Sequence, residues 1–195
     1  MIDSTVASSA RPPLLIVPGI NNSEPGHWQS LWQGDRPESV RLEVPDWDYP
    51  VLEDWLAAFD RAMDQCPIAP IVVAHSLGCI LAVHWIELAG AAGRDRIRGV
   101  FLVAPPDPGS ASFPVESPSF RVAPQGPLRR PCVVIASTND PYGDIHHAGR
   151  LAETLDAGFV SVGALGHINL KSDIGPWPQG RDLLECFAAG LGVRL

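Results

Sequence analysis

Short apolar runs alternate with longer amphipathic segments along this chain, and this alternation restricts the fold more than any other feature. Six runs rich in Val, Ile and Leu predict strands at residues 14–17, 40–44, 68–74, 97–104, 132–137 and 159–162. The segments between and after them predict helices at residues 25–33, 52–64, 77–89, 144–155 and 179–191. Strands that alternate with helices are typical of a parallel sheet with helices on both faces. We therefore expect an α/β fold with about six mostly parallel strands.

The length of 195 residues fits one domain. Residues 1–12 lack both a basic start and an apolar core, so we expect a disordered leader rather than a signal peptide, followed by a single domain at residues 13–195. Residues 105–130 hold seven prolines. Because proline removes a backbone donor and disfavours helix at the preceding residue, this segment predicts one long loop and no cap domain.

Charge and cysteine content restrict the partners of the protein. The net charge of -8, without a cluster of basic residues, disfavours nucleic acid and anionic membranes and indicates a small-molecule substrate. The four cysteines include no C-x-x-C pair, so we expect no metal and interpret them as reduced, buried side chains of a cytoplasmic protein. The sequence also lacks G-x-G-x-x-G and a complete phosphate-binding loop, which indicates that no nucleotide cofactor binds. The oligomeric state stays open.

Ser76 lies between an apolar run and a helix-like run, in the stretch Ala74-His75-Ser76-Leu77-Gly78. A nucleophilic serine in the pattern G-x-S-x-G occupies such a strand-to-helix turn, and its strained backbone requires small flanking residues. Here alanine replaces the first glycine of the pattern and Gly78 keeps the second. The alternative is that Ser76 is only the N-cap of the helix, a position that serine favours. A base and an acid are needed to decide.

Candidates for the base and the acid follow later strands. Asp140 comes after the fifth apolar run and His167 after the sixth, which is the chain order that this turn requires. A neutral imidazole accepts the serine proton and a carboxylate orients the imidazole, so Ser76, Asp140 and His167 predict a catalytic triad. Asp107, after the fourth run, is an alternative acid. Asp140 and His167 also have a plain interpretation, as a turn residue before proline and a loop histidine.

Two backbone amides are expected to form an oxyanion hole. One is the N–H of Leu77 at the helix N-terminus. The other comes from the loop after the first strand, where either Ile20 or Asn21 is the donor. We expect the strand order to reverse between the first and third strands, and both loops would then meet at that point. The alternative for Pro18-Gly19 is an ordinary turn between a strand and a helix.

Several short motifs carry a family resemblance, and the match extends over about residues 14–191. The motifs are Pro18-Gly19, His27-Trp28-Gln29, Ala74 to Gly78, Ala104-Pro105-Pro106-Asp107, Asn139-Asp140-Pro141-Tyr142, Gly166-His167-Ile168-Asn169 and Trp177-Pro178. Together they resemble the small serine hydrolases grouped with bacterial YdeN-type proteins and retinoblastoma-binding protein 9. The resemblance implies a compact α/β-hydrolase fold without a cap domain. It also implies a triad that maps onto Ser76, Asp140 and His167.

These observations predict a serine hydrolase, a carboxylesterase or amidase that cleaves small acyl substrates through an acyl-enzyme without metal or cofactor. We expect His27, Trp28 and Trp177 to line its pocket, and we expect short acyl chains to be preferred because no cap covers the site. The alternative is a non-catalytic or weakly catalytic protein-binding member of the same fold. The L-x-C-x-E motif of pocket-protein ligands is absent, because Ala188 occupies the glutamate position of the nearest match.

Overall fold

The protein is a single parallel sheet with helices on both faces, seen in a computed structural model that describes residues 11–195. The strand order is β2-β1-β3-β4-β5-β6, and every neighbouring pair is parallel. The strands are β1 (Leu14–Val17), β2 (Val40–Arg41), β3 (Ile71–His75), β4 (Gly99–Val103), β5 (Cys132–Ala136) and β6 (Gly158–Ser161). The order reverses between β1 and β3, as the sequence predicts.

Five α-helices cover the sheet: α1 (Trp28–Gly34), α2 (Leu52–Gln65), α3 (Leu77–Asp95), α4 (Ile145–Leu155) and α5 (Pro178–Gly190). Side chains of α2, α3 and α4 pack in the core on one face, and side chains of α1 and α5 pack on the other. Helix α3 contains a break at Gly90, whose φ is +61°. Two single-turn 3₁₀ helices lie at Pro118–Phe120 and Leu170–Ser172.

Strand β1 shows how the sheet separates the two core layers. Leu15 and Val17 belong to the layer under α2 and α3, whereas Leu14 and Ile16 belong to the layer under α1. All four side chains are buried because successive residues of a strand point to opposite faces and both faces are covered. This double burial explains why the central strands read as continuous apolar runs.

Residues 105–130 form one long connection between β4 and β5. They contain no α-helix and only the single 3₁₀ turn Pro118–Phe120. Phe113 and Phe120 are buried, and the ring of Phe120 meets that of Trp55 edge-on at 5.2 Å. The prediction of a compact fold without a cap domain is therefore confirmed.

Two strand boundaries differ from the prediction by three residues, and the other boundaries differ by two residues or fewer. β2 ends at Arg41, three residues before its predicted end, although the N–H of Leu42 still donates to the carbonyl of Ile16 at 2.9 Å. β3 begins at Ile71 rather than at residue 68, since Pro70 has no N–H to donate to a neighbouring strand. The start of β3 thus reflects proline chemistry that a count of apolar residues ignores.

The predicted leader, residues 1–12, falls mostly outside the described residues. Pro12 is buried, and its carbonyl oxygen accepts a hydrogen bond from Arg36 Nη2 at 3.1 Å. Pro12 therefore packs with the domain.

The expectation of four buried cysteines is wrong for Cys186, which is exposed on α5. Leu184 and Ala188 on the same helix face the core, and a helical residue two positions from each lies on the opposite side. Cys79 and Cys132 are buried, Cys66 is half-buried, and all four are free thiols.

Candidate active site

Ser76 lies in the turn between β3 and α3 with φ +54° and ψ -126°, a backbone conformation that non-glycine residues rarely adopt. Its N–H donates to the carbonyl of Val103 at 3.0 Å. The turn needs glycine at position 78, because a Cβ there would lie 2.5 Å from the carbonyl oxygens of Val17 and Pro18. The Ser76 hydroxyl makes no capping hydrogen bond to α3, which leaves the N-cap interpretation without support.

The Ser76 hydroxyl instead lies beside His167. Ser76 Oγ is 2.7 Å from His167 Nε2, and His167 Nδ1 is 2.8 Å and 2.9 Å from the two carboxylate oxygens of Asp140. Because a carboxylate only accepts, Nδ1 carries the proton and Nε2 is free to accept the serine O–H. All three residues are buried. The three predicted side chains thus form one chain of hydrogen bonds at the carboxyl ends of β3, β5 and β6.

Asp107, the alternative acid, lies apart from His167. Its carboxylate is 3.6 Å from His147 Nδ1 and accepts the N–H of Gly109 at 2.8 Å. Of the two aspartates, the one that contacts His167 is Asp140.

Polar side chains join the loop of Asp140 to the loop of His167. Asn139 Oδ1 accepts hydrogen bonds from Ser137 Oγ at 2.8 Å and from the N–H of Gly166 at 2.7 Å. Ser137 Oγ in turn accepts from the N–H of Leu165 at 2.9 Å. This network fixes the distance between the acid and the histidine.

The loop after β1 packs directly against Ser76. A Cβ at Gly19 would lie 2.8 Å from Ser76 Cβ, so only glycine allows this approach. The N–H of Asn21 is occupied, since it donates to Trp47 O at 2.9 Å, whereas the N–H of Ile20 has no hydrogen-bond acceptor within residues 11–195. Leu77 opens α3, and its N–H has no intrahelical acceptor. Among the three predicted donors, the amides of Ile20 and Leu77 are therefore free and that of Asn21 is not.

His75 was not singled out from the sequence, yet it contacts the loop of the base. Its Nε2 lies 2.9 Å from the main-chain oxygen of His167. Burial holds the pKa of His75 well below its usual value, and nearby His27 and His167 lower it further. His75 is therefore a neutral donor in this contact.

Gln29 is a second residue that sequence reasoning missed. Its Nε2 donates to Val17 O at 3.2 Å and to Val73 O at 3.1 Å, and its Oε1 accepts from Ser23 Oγ at 2.7 Å. The first turn of α1 is thereby tied to the ends of β1 and β3, which carry the two loops next to Ser76. The sequence signal at this position is the motif His27-Trp28-Gln29, which contributes to the family resemblance but does not predict these contacts of Gln29.

A cleft of about 800 Å³ opens above Ser76 and His167. Ile20, Asn21 and His27 lie in its wall. Its further walls come from loops after β2, β4, β5 and β6, represented by Tyr49, Phe113, Tyr142 and Leu170. The charged side chains at the cleft are Glu24, Asp48, Glu116 and Lys171.

Trp28 and Trp177 do not line the cleft, contrary to expectation. Both are buried, and their rings lie 5.2 Å apart in a T-shaped contact. Trp28 Nε1 donates to the carbonyl of Ile168 at 2.8 Å, and the ring of Trp177 stacks on that of Trp32 at 5.9 Å. These large rings fill the core beneath the His167 loop, because burying their apolar area is more favourable than exposing it to water in the cleft.

A family comparison agrees with this geometry. The model of the family described as serine hydrolase matches residues 14–186. The chain is a member of the serine hydrolase family. As a member of this family the protein is expected to act as a hydrolase on small molecules. A comparison with curated proteins finds no significant match.

Solved structures place this serine hydrolase among YdeN-like proteins. A protein described as a YdeN-like hydrolase from Pectobacterium atrosepticum shares 31% identity, with a TM-score of 0.81 over 93% of this chain and 92% of the other. The ydeN gene product of B. subtilis shares 22% identity, with a TM-score of 0.76 over 90% and 98%. The type II thioesterase BorB of the borrelidin biosynthetic cluster shares only the fold, at 18% identity and a TM-score of 0.63 over 95% and 93%.

The described part of this hydrolase, residues 11–195, contains neither a candidate metal centre nor a candidate membrane-spanning helix. No group of three or more His, Cys, Asp or Glu side chains in it is arranged to hold a metal ion. None of its helices combines the length and apolar character needed to cross a membrane.

Proposed function

We propose that this serine hydrolase cleaves esters or amides of small acyl substrates through a covalent acyl-enzyme on Ser76. The single observation that carries the proposal is the chain of contacts from Ser76 Oγ through His167 to Asp140, with no step longer than 2.9 Å. A serine hydroxyl is a weak nucleophile at neutral pH unless a base takes its proton. His167 is that base, and Asp140 holds it in the required tautomer.

Acylation begins when Ser76 Oγ attacks the substrate carbonyl carbon while its proton moves to His167 Nε2. The new bond between Oγ and carbon converts the carbonyl oxygen to an oxyanion. The oxyanion accepts hydrogen bonds from the N–H groups of Leu77 and Ile20. These two donors stabilise the oxyanion better than water does, because their orientation is fixed before the reaction begins. The proposal favours Ile20 over Asn21, because the Asn21 N–H already donates to Trp47.

Collapse of this intermediate breaks the bond to the leaving alcohol or amine, which takes the proton from His167. The acyl-enzyme is then attacked by water, which gives one proton to His167 Nε2. When the second intermediate collapses, Ser76 Oγ leaves as the alkoxide and recovers that proton. The products are a carboxylic acid and an alcohol or amine, and the enzyme returns to its initial state.

A fluorophosphonate probe tests the nucleophile. We expect one adduct, located on Ser76 by peptide mass mapping, and no adduct on Ser76→Ala. Ser76→Ala should also lower kcat by about 10⁶-fold, the effect of removing the nucleophile in other triad enzymes. Ser112→Ala is the matched control, because Ser112 lies in the same cleft but contacts Pro141 and Ser110 instead of His167. Full labelling of Ser76→Ala would exclude the proposal.

The alternative is a protein-binding member of the fold with little or no catalysis. The complete arrangement of Ser76, His167 and Asp140 favours the enzyme, since binding alone requires none of these three groups in contact. The same probe separates the two, because a pure binding protein with an inactive site would react with fluorophosphonate no faster than free serine does.

A further inference from the structure

His27 is a buried polar side chain in the wall of the cleft, at the N-cap of α1. Only 3% of its surface is exposed. Its Nδ1 accepts a hydrogen bond from the N–H of Gln29 at 3.2 Å. The ring centroid lies 5.3 Å from that of Trp28 and 5.0 Å from that of His75, so neighbours on two sides fix its orientation.

The protonation state of His27 follows from these contacts. Burial, followed by the nearby charges of Arg41 and His167, lowers the pKa of His27 to about 4. The ring is therefore neutral near pH 7 and carries one proton. Because Nδ1 accepts from Gln29, that proton is on Nε2.

The Nε2–H of His27 has no acceptor among the residues that the structure describes. Although His27 as a whole is buried, its Nε2 atom keeps solvent-accessible surface, and it therefore opens onto the cleft that His27 lines. A donor whose orientation is fixed and which opens onto the cleft is available to a molecule that enters the cleft. Because the same cleft contains Ser76 and His167, that molecule is the substrate of the proposed reaction.

We propose that His27 Nε2–H donates a hydrogen bond to a neutral oxygen of the substrate, so that esters with an ether, hydroxyl or carbonyl oxygen beside the scissile bond are preferred over purely alkyl esters. This inference rests on the proposed hydrolysis at Ser76. A neutral oxygen fits better than a carboxylate, because Glu24, Asp48 and Glu116 are opposed only by Lys171 around the same cleft. Like charges disfavour an anionic substrate there.

Pairs of esters that exchange one CH₂ for oxygen test the proposal. On the acyl side the pair is p-nitrophenyl methoxyacetate and p-nitrophenyl butyrate. On the leaving-group side it is 2-methoxyethyl butyrate and butyl butyrate. The ratio of kcat/KM within each pair is compared between the native enzyme and His27→Asn, so that the intrinsic reactivity of each ester cancels. Asparagine is chosen because its side-chain oxygen also caps a helix.

We expect the oxygen-to-methylene ratio of one pair to fall about five- to tenfold in His27→Asn, the loss that corresponds to one hydrogen bond. His27→Ser, which also keeps a capping oxygen, should give the same fall if the asparagine variant does not fold. His146→Asn is the matched control, because His146 is exposed on α4 outside the cleft, and its ratios should equal those of the native enzyme.

Unchanged ratios for both pairs in a folded His27 variant would overturn the inference. That result differs from failure of the proposed function, in which the native enzyme hydrolyses none of the four esters and is not labelled on Ser76.

Discussion

The Nε2 atom of His75 lies 2.9 Å from the main-chain oxygen of His167, and this contact joins the residue before the proposed nucleophile to the loop that carries the proposed base. A carbonyl oxygen only accepts, so His75 donates and its proton is on Nε2. His75 does not contact the reacting atoms. It positions His167 by holding the backbone of its loop.

Replacing His75 tests this positioning role. We expect His75→Leu to lower kcat by about 10²-fold with little change in KM, because a small displacement of the base is enough to cost that much. His75→Gln, which keeps an N–H donor, should recover part of the loss. Equal kcat values for the Leu and Gln variants, measured at matched thermal stability, would mean that the contact only stabilises the fold.

The choice between two aspartates gives a second prediction. Asp140→Asn should lower kcat by about 10⁴-fold, because the amide no longer requires a proton on His167 Nδ1 and the wrong tautomer forms. Asp107→Asn is the control and should cost far less, since Asp107 lies beside His147 instead. Steady-state kinetics on one ester measures both. A larger loss for Asp107→Asn would identify that residue as the acid.

Gly19 provides a steric prediction. The Cβ of Gly19→Ala would lie 2.8 Å from Ser76 Cβ, so the loop that carries Ile20 must move away. We expect kcat to fall by about 10²-fold as the oxyanion donor is displaced. Gly34→Ala, at the end of α1, is the matched control, because its Cβ meets no atom within 4 Å. Native activity of Gly19→Ala would show that the loop near Ser76 is free to shift.

Acid should destabilise the protein through its buried histidines. The folded-state pKa values of His27 and His75 lie below the unfolded value of 6.5, with His27 at about 4. Between these limits the unfolded chain binds more protons, so stability falls as the pH falls. Each histidine contributes a slope of up to about 1.4 kcal/mol per pH unit.

Urea unfolding near pH 7 and near pH 5 measures this dependence. His27→Asn should show a smaller loss of unfolding free energy than the native protein over the same interval, since one of the two groups is gone. If the native protein is equally stable at both pH values, neither histidine is held neutral by the fold.

Acyl-chain length gives a further prediction. No cap covers the cleft, and Tyr49 and Val115 at its rim are 68% and 79% exposed. Each methylene is worth about 0.8 kcal/mol only where it is buried, so the gain in kcat/KM should stop after a few carbons. We expect p-nitrophenyl acetate or butyrate to be cleaved faster than octanoate, with no activation by micelles. Rates that keep rising to long chains would indicate a deeper acyl pocket.

The parts of this molecule that sequence patterns predict are those encoded locally. β1 matches its predicted bounds, and the turn at Ser76 follows from small residues at positions 74 and 78. Asp140 and His167 were placed by strand order, and the structure brings them within hydrogen-bonding distance of each other. Their catalytic roles stay predictions until the variants are measured.

The parts that sequence patterns miss depend on contacts between distant residues. Trp28 was expected in the pocket, but its Nε1–H donates to Ile168, which is 140 positions away. Ile20 and Asn21 were equivalent candidates until the contact from Asn21 to Trp47 distinguished them. Burial and long-range hydrogen bonds, which decide these cases, are properties of the packed chain and leave no short motif.

Residues 105–130 form walls of the cleft yet hold none of the proposed reacting groups. The segment is anchored by buried Phe113 and Phe120, while its cleft-facing residues Val115 and Glu116 are exposed. The part of the cleft wall that this segment supplies is therefore separate in the chain from the proposed reacting groups and from His27. Evolution or a mutant library restricted to this one connection can change what the enzyme accepts while the machinery at Ser76 is inherited intact.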